Sequence, residues 1–270
     1  MTMVTIATMP TSKRFLSPRQ LRGIGGVAAC MAIWEIFAHS GLFSTALTPP
    51  LEDIARTLVS LVMSGTLFVN AAYTLARVAF GMGLAFVTAV PLGFLMARSR
   101  FVERFIMPLV SVLLPIPSLA WVPLFTLWLG IGDTATICVV VYAAFFPLLY
   151  NVWAGVRSVN PLWIRSAQAM GAGRWMLYRQ VIWPGALPYV ITGLRLSLGR
   201  AWIGVIGGEL LASPVYGLGQ LIFNAKEFLN ASVMLSVLLF IGVMGVIFER
   251  FVFQPIEART VRRWGMTSGS

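Results

Sequence analysis

Residues 160–188 read NPLWIRSAQAMGAGRWMLYRQVIWPGALP. The stretch is basic, aromatic and punctuated by Gly and Pro, and a long apolar run flanks it on each side. Runs of about 20 apolar residues are what a bilayer requires of a spanning helix. The stretch between them is therefore a loop at a membrane surface. Within it Asn160 suits a helix N-cap and Pro161 the first helical position. The spacing predicts a short helix to about Met170 and a turn at Gly171-Ala172-Gly173 with positive φ. A second short helix is expected from Arg174 to about Ile182, ended by Pro184. Its arginines, with Trp163, Trp175 and Tyr178, are side chains that commonly anchor interfaces. By composition alone the same loop suits anionic lipid headgroups equally well.

The rest of the chain agrees. Of 270 residues, 58% are hydrophobic and only 11% charged, where a soluble domain carries about a quarter charged. Mean hydropathy is +0.85. The formal net charge of +11 does not point to nucleic acid, because the charges gather at the ends of apolar runs, as membrane topology dictates. Cys30 and Cys138 lie inside apolar segments, which excludes a disulfide framework. His39, the single histidine, cannot build a metal site, which needs several ligands. The run after Lys13, Arg14, Arg19 and Arg22 is read as an uncleaved first span rather than a signal peptide, since further spans follow.

Six spans are expected, roughly at 22–40, 68–97, 104–129, 134–156, 186–212 and 231–253, making the chain an all-α polytopic membrane protein. Pro115-Ile116-Pro117 and Pro123 must kink or break the third, so the region from Pro115 to Trp121 is expected to be buried in the bundle. After Pro49-Pro50, Leu51, Ile54, Leu58 and Leu61 recur at helical spacing, which predicts an amphipathic helix at the outer surface. Arg98, Arg100 and Arg104, then Arg157, Arg165, Arg174 and Arg179, fall on the same side as both basic termini; the alternate loops hold only Arg56 and Lys226. Both termini are thus expected in the cytoplasm. Arg77, Arg195, Arg200 and Glu209 fall in or near spans, where charges are costly and are candidates for function or for structural pairing. Gly204 and Gly208 form a G-x-x-x-G that lets helices approach, within one chain or between two. Trp121, Trp128 and Trp202 read as packing or interfacial residues.

Several motifs resemble a known family. Ala167, Gly171, Val181 and Pro184 match the spacing of the "EAA" loop of bacterial ABC-importer permeases. Arg165 stands at that loop's glutamate position, Ser166 at its next alanine and Trp183 at its leucine. Pro115-Ile116-Pro117, Ala120, Pro123, Trp128, Gly130 and Gly132 resemble the P-x-P…W-x-G-x-G stretch of the nitrate/sulfonate/taurine group. Gly193-Leu194-Arg195, Gly199-Arg200-Ala201, Glu209-Leu210 and Gly217-Leu218-Gly219 continue the likeness, which covers about residues 68–256.

This resemblance implies a type I ABC-importer permease (MetI-like) fold in the bacterial inner membrane. It implies an N-terminal cytoplasmic segment (1–21), a first helix with an external amphipathic segment (22–67), a transmembrane domain (68–256) and a cytoplasmic tail (257–270). Residues 160–183 would couple to the ATPase through Arg165, Ala167, Gly171, Val181 and Pro184. Pro115, Pro117, Trp121, Arg195 and Glu209 are the candidates for the solute pathway, Arg195 being the candidate contact for an anion. Implied partners are an ATP-binding cassette ATPase dimer, an external solute-binding protein, a second copy of the chain and membrane lipid. No cofactor is expected on the chain; ATP and Mg would sit on the ATPase. A P-loop needs Gly before its Lys, whereas Ser12 precedes Lys13 and Ala225 precedes Lys226, the only lysines. The alternative, a self-sufficient secondary transporter or channel, would call for paired intramembrane carboxylates or inverted repeats. A membrane enzyme would need a catalytic constellation that one histidine and two aspartates do not form.

Overall fold

Three long helices form the centre: α3 (Thr66–Arg98), α6 (Asp133–Ser158) and α9 (Trp183–Ala212). They come from a computed structural model that describes residues 18–42, 44–212 and 214–253. The expected N-terminal segment lies mostly outside these residues, and the tail 257–270 wholly so. Around the centre run α1 (Pro18–His39), α2 (Leu51–Met63), α4 (Arg100–Leu113), α5 (Val122–Leu129), α7 (Pro161–Ala169), α8 (Arg174–Leu177), α10 (Leu218–Glu227) and α11 (Ala231–Ile247). The described residues contain no strand.

Lipid tails are as apolar as Leu, so helices in a membrane associate through close packing and polar bonds rather than through hydrophobicity. The central three do so with glycine. A Cβ on Gly81 would lie 2.6 Å from Val140 Cγ1, and one on Gly93 2.7 Å from Val152 Cγ1. The register advances in step, so α3 and α6 run parallel. Gly155 meets Tyr189 and Gly193 meets Asn151, each within 2.7 Å of a built Cβ; α6 and α9 are therefore antiparallel. Gly204 and Gly208 are buried against Ala143 and Thr136, so the G-x-x-x-G serves packing within the chain. Ser197 Oγ adds a buried bond to the Ala144 carbonyl of α6 at 2.8 Å.

A second layer closes one end. Leu67, Ala71, Leu218, Ile222 and Val237 join α3, α10 and α11 in one apolar cluster, and Ser236 Oγ on α11 donates to the Ile54 carbonyl of α2 at 3.0 Å. The amphipathic helix expected after Pro50 is present as α2. Large side chains left exposed, such as Phe80, Val87, Leu95, Val243 and Val246, form the kind of apolar surface that lipid covers.

Among the described residues, four helices are long and apolar enough to cross a membrane: Thr66–Arg98, Asp133–Ser158, Arg174–Ala212 and Ala231–Phe251. The expected third span is instead two helices, Arg100–Leu113 and Ser118–Leu129, bent by 92°. The apolar part of α1, Gly25–His39, is shorter than a full span. A second departure concerns Pro184, which does not stop the helix. A π-helical turn (Tyr178–Ile182) precedes it, with Trp183 N donating to Tyr178 O, and helix continues from Arg174 to Ala212. The longer i→i+5 bonding absorbs the N–H that proline lacks.

Substituting Gly93→Val is expected to destabilise the chain by about 1–3 kcal/mol through overpacking against Val152. Gly83→Ala, where a Cβ meets nothing within 4 Å, should be neutral. Melting of the purified protein in detergent measures both, and equal losses would count against the packing described.

Candidate functional site

The segment that the sequence singled out lies where α3 and α6 end and α9 begins. Asn160 caps α7, its side chain accepting from Leu162 N at 2.9 Å. Gly171 takes φ 82°, Ala172 N donates to Ala167 O at 3.0 Å, and Gly171 N donates to Gln168 O at 3.0 Å. This pair of bonds is the Schellman closure that favours glycine at its left-handed residue. Ala167, Leu177 and Ile182 are buried together, with Phe94 of α3, Val156 of α6 and Val181 packed against them. The stack of Phe94 on Trp183, 5.3 Å between centroids, and the bond from Arg98 Nη1 to Tyr178 Oη at 2.7 Å fasten the segment to α3. Its other face exposes Trp163, Met170 and Trp175, with Arg165, Arg174 and Arg179. Pro184 is partly buried at the start of α9.

The pathway candidates do not gather in one place. Pro115 and Pro117 are exposed rather than buried. They line an open groove of about 300 Å³ with Ser118, Tyr142, Phe146 and Arg200. Pro117 has no N–H for the Leu113 carbonyl, which accepts instead from Ile116 N at 3.2 Å and from Tyr142 Oη of α6 at 2.6 Å. Irregular backbone at membrane depth is tolerated along such a groove. Trp121 packs on Tyr142 and Phe125, 5.1 and 5.9 Å between centroids, and is not among the lining residues. Arg195 faces a separate cavity of about 380 Å³ with Leu75, Val78, Trp202 and Phe248, and pairs with Glu249 of the π-helical turn that ends α11.

Glu209 lies in neither cavity; it is fully buried. Arg77 Nη1 donates to its Oε1 at 2.6 Å, Thr74 Oγ1 at 2.8 Å, and Gly219 N to Oε2 at 2.9 Å. Arg77, itself buried, also donates through Nη2 to Asp133 Oδ1 and to the Tyr216 carbonyl, each at 2.6 Å. The network joins α3, α6, α9 and the turn before α10. It also accounts for Gly217-Leu218-Gly219. A Cβ on Gly217 would lie 2.5 Å from Glu209 Cδ, and one on Gly219 2.4 Å from the Ile206 carbonyl oxygen. Sequence reasoning found Arg77 and Glu209 as separate charges and missed their partnership. Asn70, Thr74 and Arg77, a polar stripe at helical spacing on an otherwise apolar helix, carried the signal. Asn70 Oδ1 accepts from Gly217 N at 2.8 Å.

Comparison with known proteins bears on most of the chain. Residues 89–254 match the family described as "Binding-protein-dependent transport system inner membrane component". The taurine transport system permease protein TauC of Escherichia coli (strain K12) is 34% identical over 239 residues, covering 87% of this chain and 86% of that one. The bicarbonate transport system permease protein CmpB of Synechococcus elongatus is 30% identical over 239 residues, covering 85% of each. The MetNI methionine ABC transporter, in an inward-facing crystal form, superposes with a TM-score of 0.60 at 24% identity, over 74% of this chain and 97% of that one. This last likeness is one of fold.

Removing one partner of a buried ion pair typically costs about 3–5 kcal/mol. Arg77→Met should therefore lower the yield of folded protein in membranes sharply, while Arg56→Met, at an exposed pair with Glu52, should not. A double-mutant cycle through Arg77→Met and Glu209→Leu should show strong coupling. Additive losses would mean that the two side chains do not act as a unit.

Proposed function

Because this chain belongs to the family of binding-protein-dependent transport system inner membrane components, we propose that its 160–183 segment transmits the movements of a separate ATPase to the membrane helices. The chain is a permease component of an ABC importer and a transporter subunit rather than an enzyme; ATP hydrolysis is done by a separate subunit. One observation carries the coupling reading. The α7–α8 segment has a buried face joined to α3 and α6 and an exposed face of Trp and Arg, and it continues without interruption into α9.

A displacement of such a segment cannot stay local. Ala167, Leu177 and Ile182 bear on the inner end of α3 through Phe94, and the helix from Arg174 to Ala212 carries any tilt across the bilayer. Closure of an ATPase pair beneath two copies of the chain would rock these helices between two packings, which is the bistable element that alternating access needs. On this reading Arg165 offers the ATPase a cation, so its contact differs from that of members with glutamate there. The basic end, with Arg98, Arg100, Arg104, Arg157, Arg165, Arg174 and Arg179, faces the cytoplasm by the positive-inside rule. α1 and the bent α4–α5 pair bring the membrane segments to six. The external binding protein docks on the opposite end, near α2 and α10.

The solute we propose is small and carries an anionic group, as taurine and bicarbonate do. This rests on the named solutes of the relatives. ATP and Mg belong to the ATPase.

Deleting residues 160–183 should abolish co-purification of the ATPase in detergent. Gly171→Leu forces a branched side chain into φ 82° and should uncouple hydrolysis from uptake while the chain still inserts. Normal binding-protein-dependent uptake in Gly171→Leu would refute the coupling assignment.

A further inference from the structure

We infer that Arg200, rather than Arg195, is the side chain that receives the anionic group of the solute, in the groove beneath the Pro115–Pro117 break. The inference rests on the reading of the chain as an importer subunit for an anionic solute, and assigns the contact within it.

Depth supplies the first argument. Arg200 lies twelve residues before the end of α9 at Ala212, about 18 Å at 1.5 Å per residue. The other end of the membrane helix is farther. Side chains on a helix lean toward its N-terminus, so Arg200 leans away from the nearer end of α9. A guanidinium at this depth faces protein or water rather than lipid.

Pairing supplies the second. Every other cation singled out within the spans has an acid: Arg77 has Glu209 and Asp133, and Arg195 has Glu249. Arg200 is exposed, and no hydrogen bond or ion pair joins it to the described residues. Its neighbours supply the third. The groove is lined by Pro115, Pro117, Ser118, Tyr142, Phe146 and Ile203, among others, and no acid lies among the lining residues described. A concave site of one sign with apolar walls focuses its field on a counter-ion. About 300 Å³ is the small end of the range for ligand sites, suited to a compact anion. Arg200 also shares its face of α9 with exposed Leu196, Ile203 and Leu211, and it is the charged member of that stripe.

The test needs no knowledge of the solute. Ile203→Cys, in a background with Cys30→Ser and Cys138→Ala, is labelled in membrane vesicles holding the assembled importer. The probes are an anionic sulfonatoethyl methanethiosulfonate and a cationic trimethylammonioethyl methanethiosulfonate. With Arg200 present the anionic reagent should gain, and Arg200→Gln should lower the anion-to-cation rate ratio by roughly tenfold, the lower end of electrostatic focusing. Arg200→Lys and Arg195→Gln should both keep the preference. Should Arg200→Gln fail to assemble, Leu211→Cys in the Arg200 background gives the same contrast: no anion preference is expected there. An unchanged ratio in Arg200→Gln, an equal loss in Arg195→Gln, or an Ile203→Cys thiol that neither reagent reaches overturns the assignment. ATPase co-purification is measured on the same vesicles. An unchanged ratio in Arg200→Gln with the ATPase retained sinks the Arg200 assignment alone, whereas failure of the 160–183 deletion to release the ATPase sinks the coupling reading.

Discussion

A guanidinium buried among carboxylates sets the frame on which the other elements depend. Arg77 and Glu209 are both out of contact with solvent, and in a low-dielectric setting each would be intolerable alone. Together they are closely satisfied: Glu209 takes bonds from Arg77, Thr74 and Gly219, and Arg77 reaches Asp133 and the Tyr216 carbonyl as well. A buried pair is weak evidence for net stability, but it is stringent about geometry. A slip of α9 by one turn against α3 would move Glu209 about 5.4 Å and strand both charges. The network therefore fixes the register of three helices; a side chain at 217 would enter it, and one at 219 would meet the α9 backbone at Ile206.

Glycine sets the same constraint along the length of the bundle. Where the apolar effect offers no preference between helix and lipid, the distance of closest approach decides which surfaces meet. Gly81, Gly93, Gly155 and Gly193 let valine, tyrosine and asparagine side chains of neighbouring helices into contact distance. The faces left over then have distinct characters. That of α3, with Phe80, Val87 and Leu95, is wholly apolar and suits lipid. That of α9 carries Arg200 among Leu196, Ile203 and Leu211, a charge that lipid does not suit.

Much of this is legible in the sequence, and the failures have identifiable causes. Asn160, Gly171 and the amphipathic α2 are readable because each depends on local rules: a cap, a left-handed turn, a helical period. Pro184 misleads because a proline's effect depends on what precedes it; the π-helical turn over Tyr178–Ile182 is a tertiary accommodation that no spacing announces. Burial of Pro115–Trp121 is expected because irregular backbone needs partners. Tyr142, 25 residues past Pro117, supplies one, and the segment borders a groove instead. The pathway candidates follow from residue type. Type cannot show which charges have partners: Glu209 is paired with Arg77 and Arg195 with Glu249, whereas Arg200 pairs with none of the described residues.

The two ends of the bundle differ in how firmly they are held, and this bears on how a permease of this build can move. One end is fastened by charges whose separation would be severely unfavourable, over four segments of chain. The other is fastened by Ala167, Leu177 and Ile182 against Phe94 and Val156, one aromatic stack and one exposed bond from Arg98. Apolar contacts of this size can slide and re-form at little cost, whereas a buried ion pair cannot be half broken. On the proposed coupling, a push delivered at the α7–α8 segment would tilt the continuous Arg174–Ala212 helix about its Glu209 end. The groove beside Arg200, part-way along that helix, is where such a tilt would change the space against the Pro115–Pro117 break.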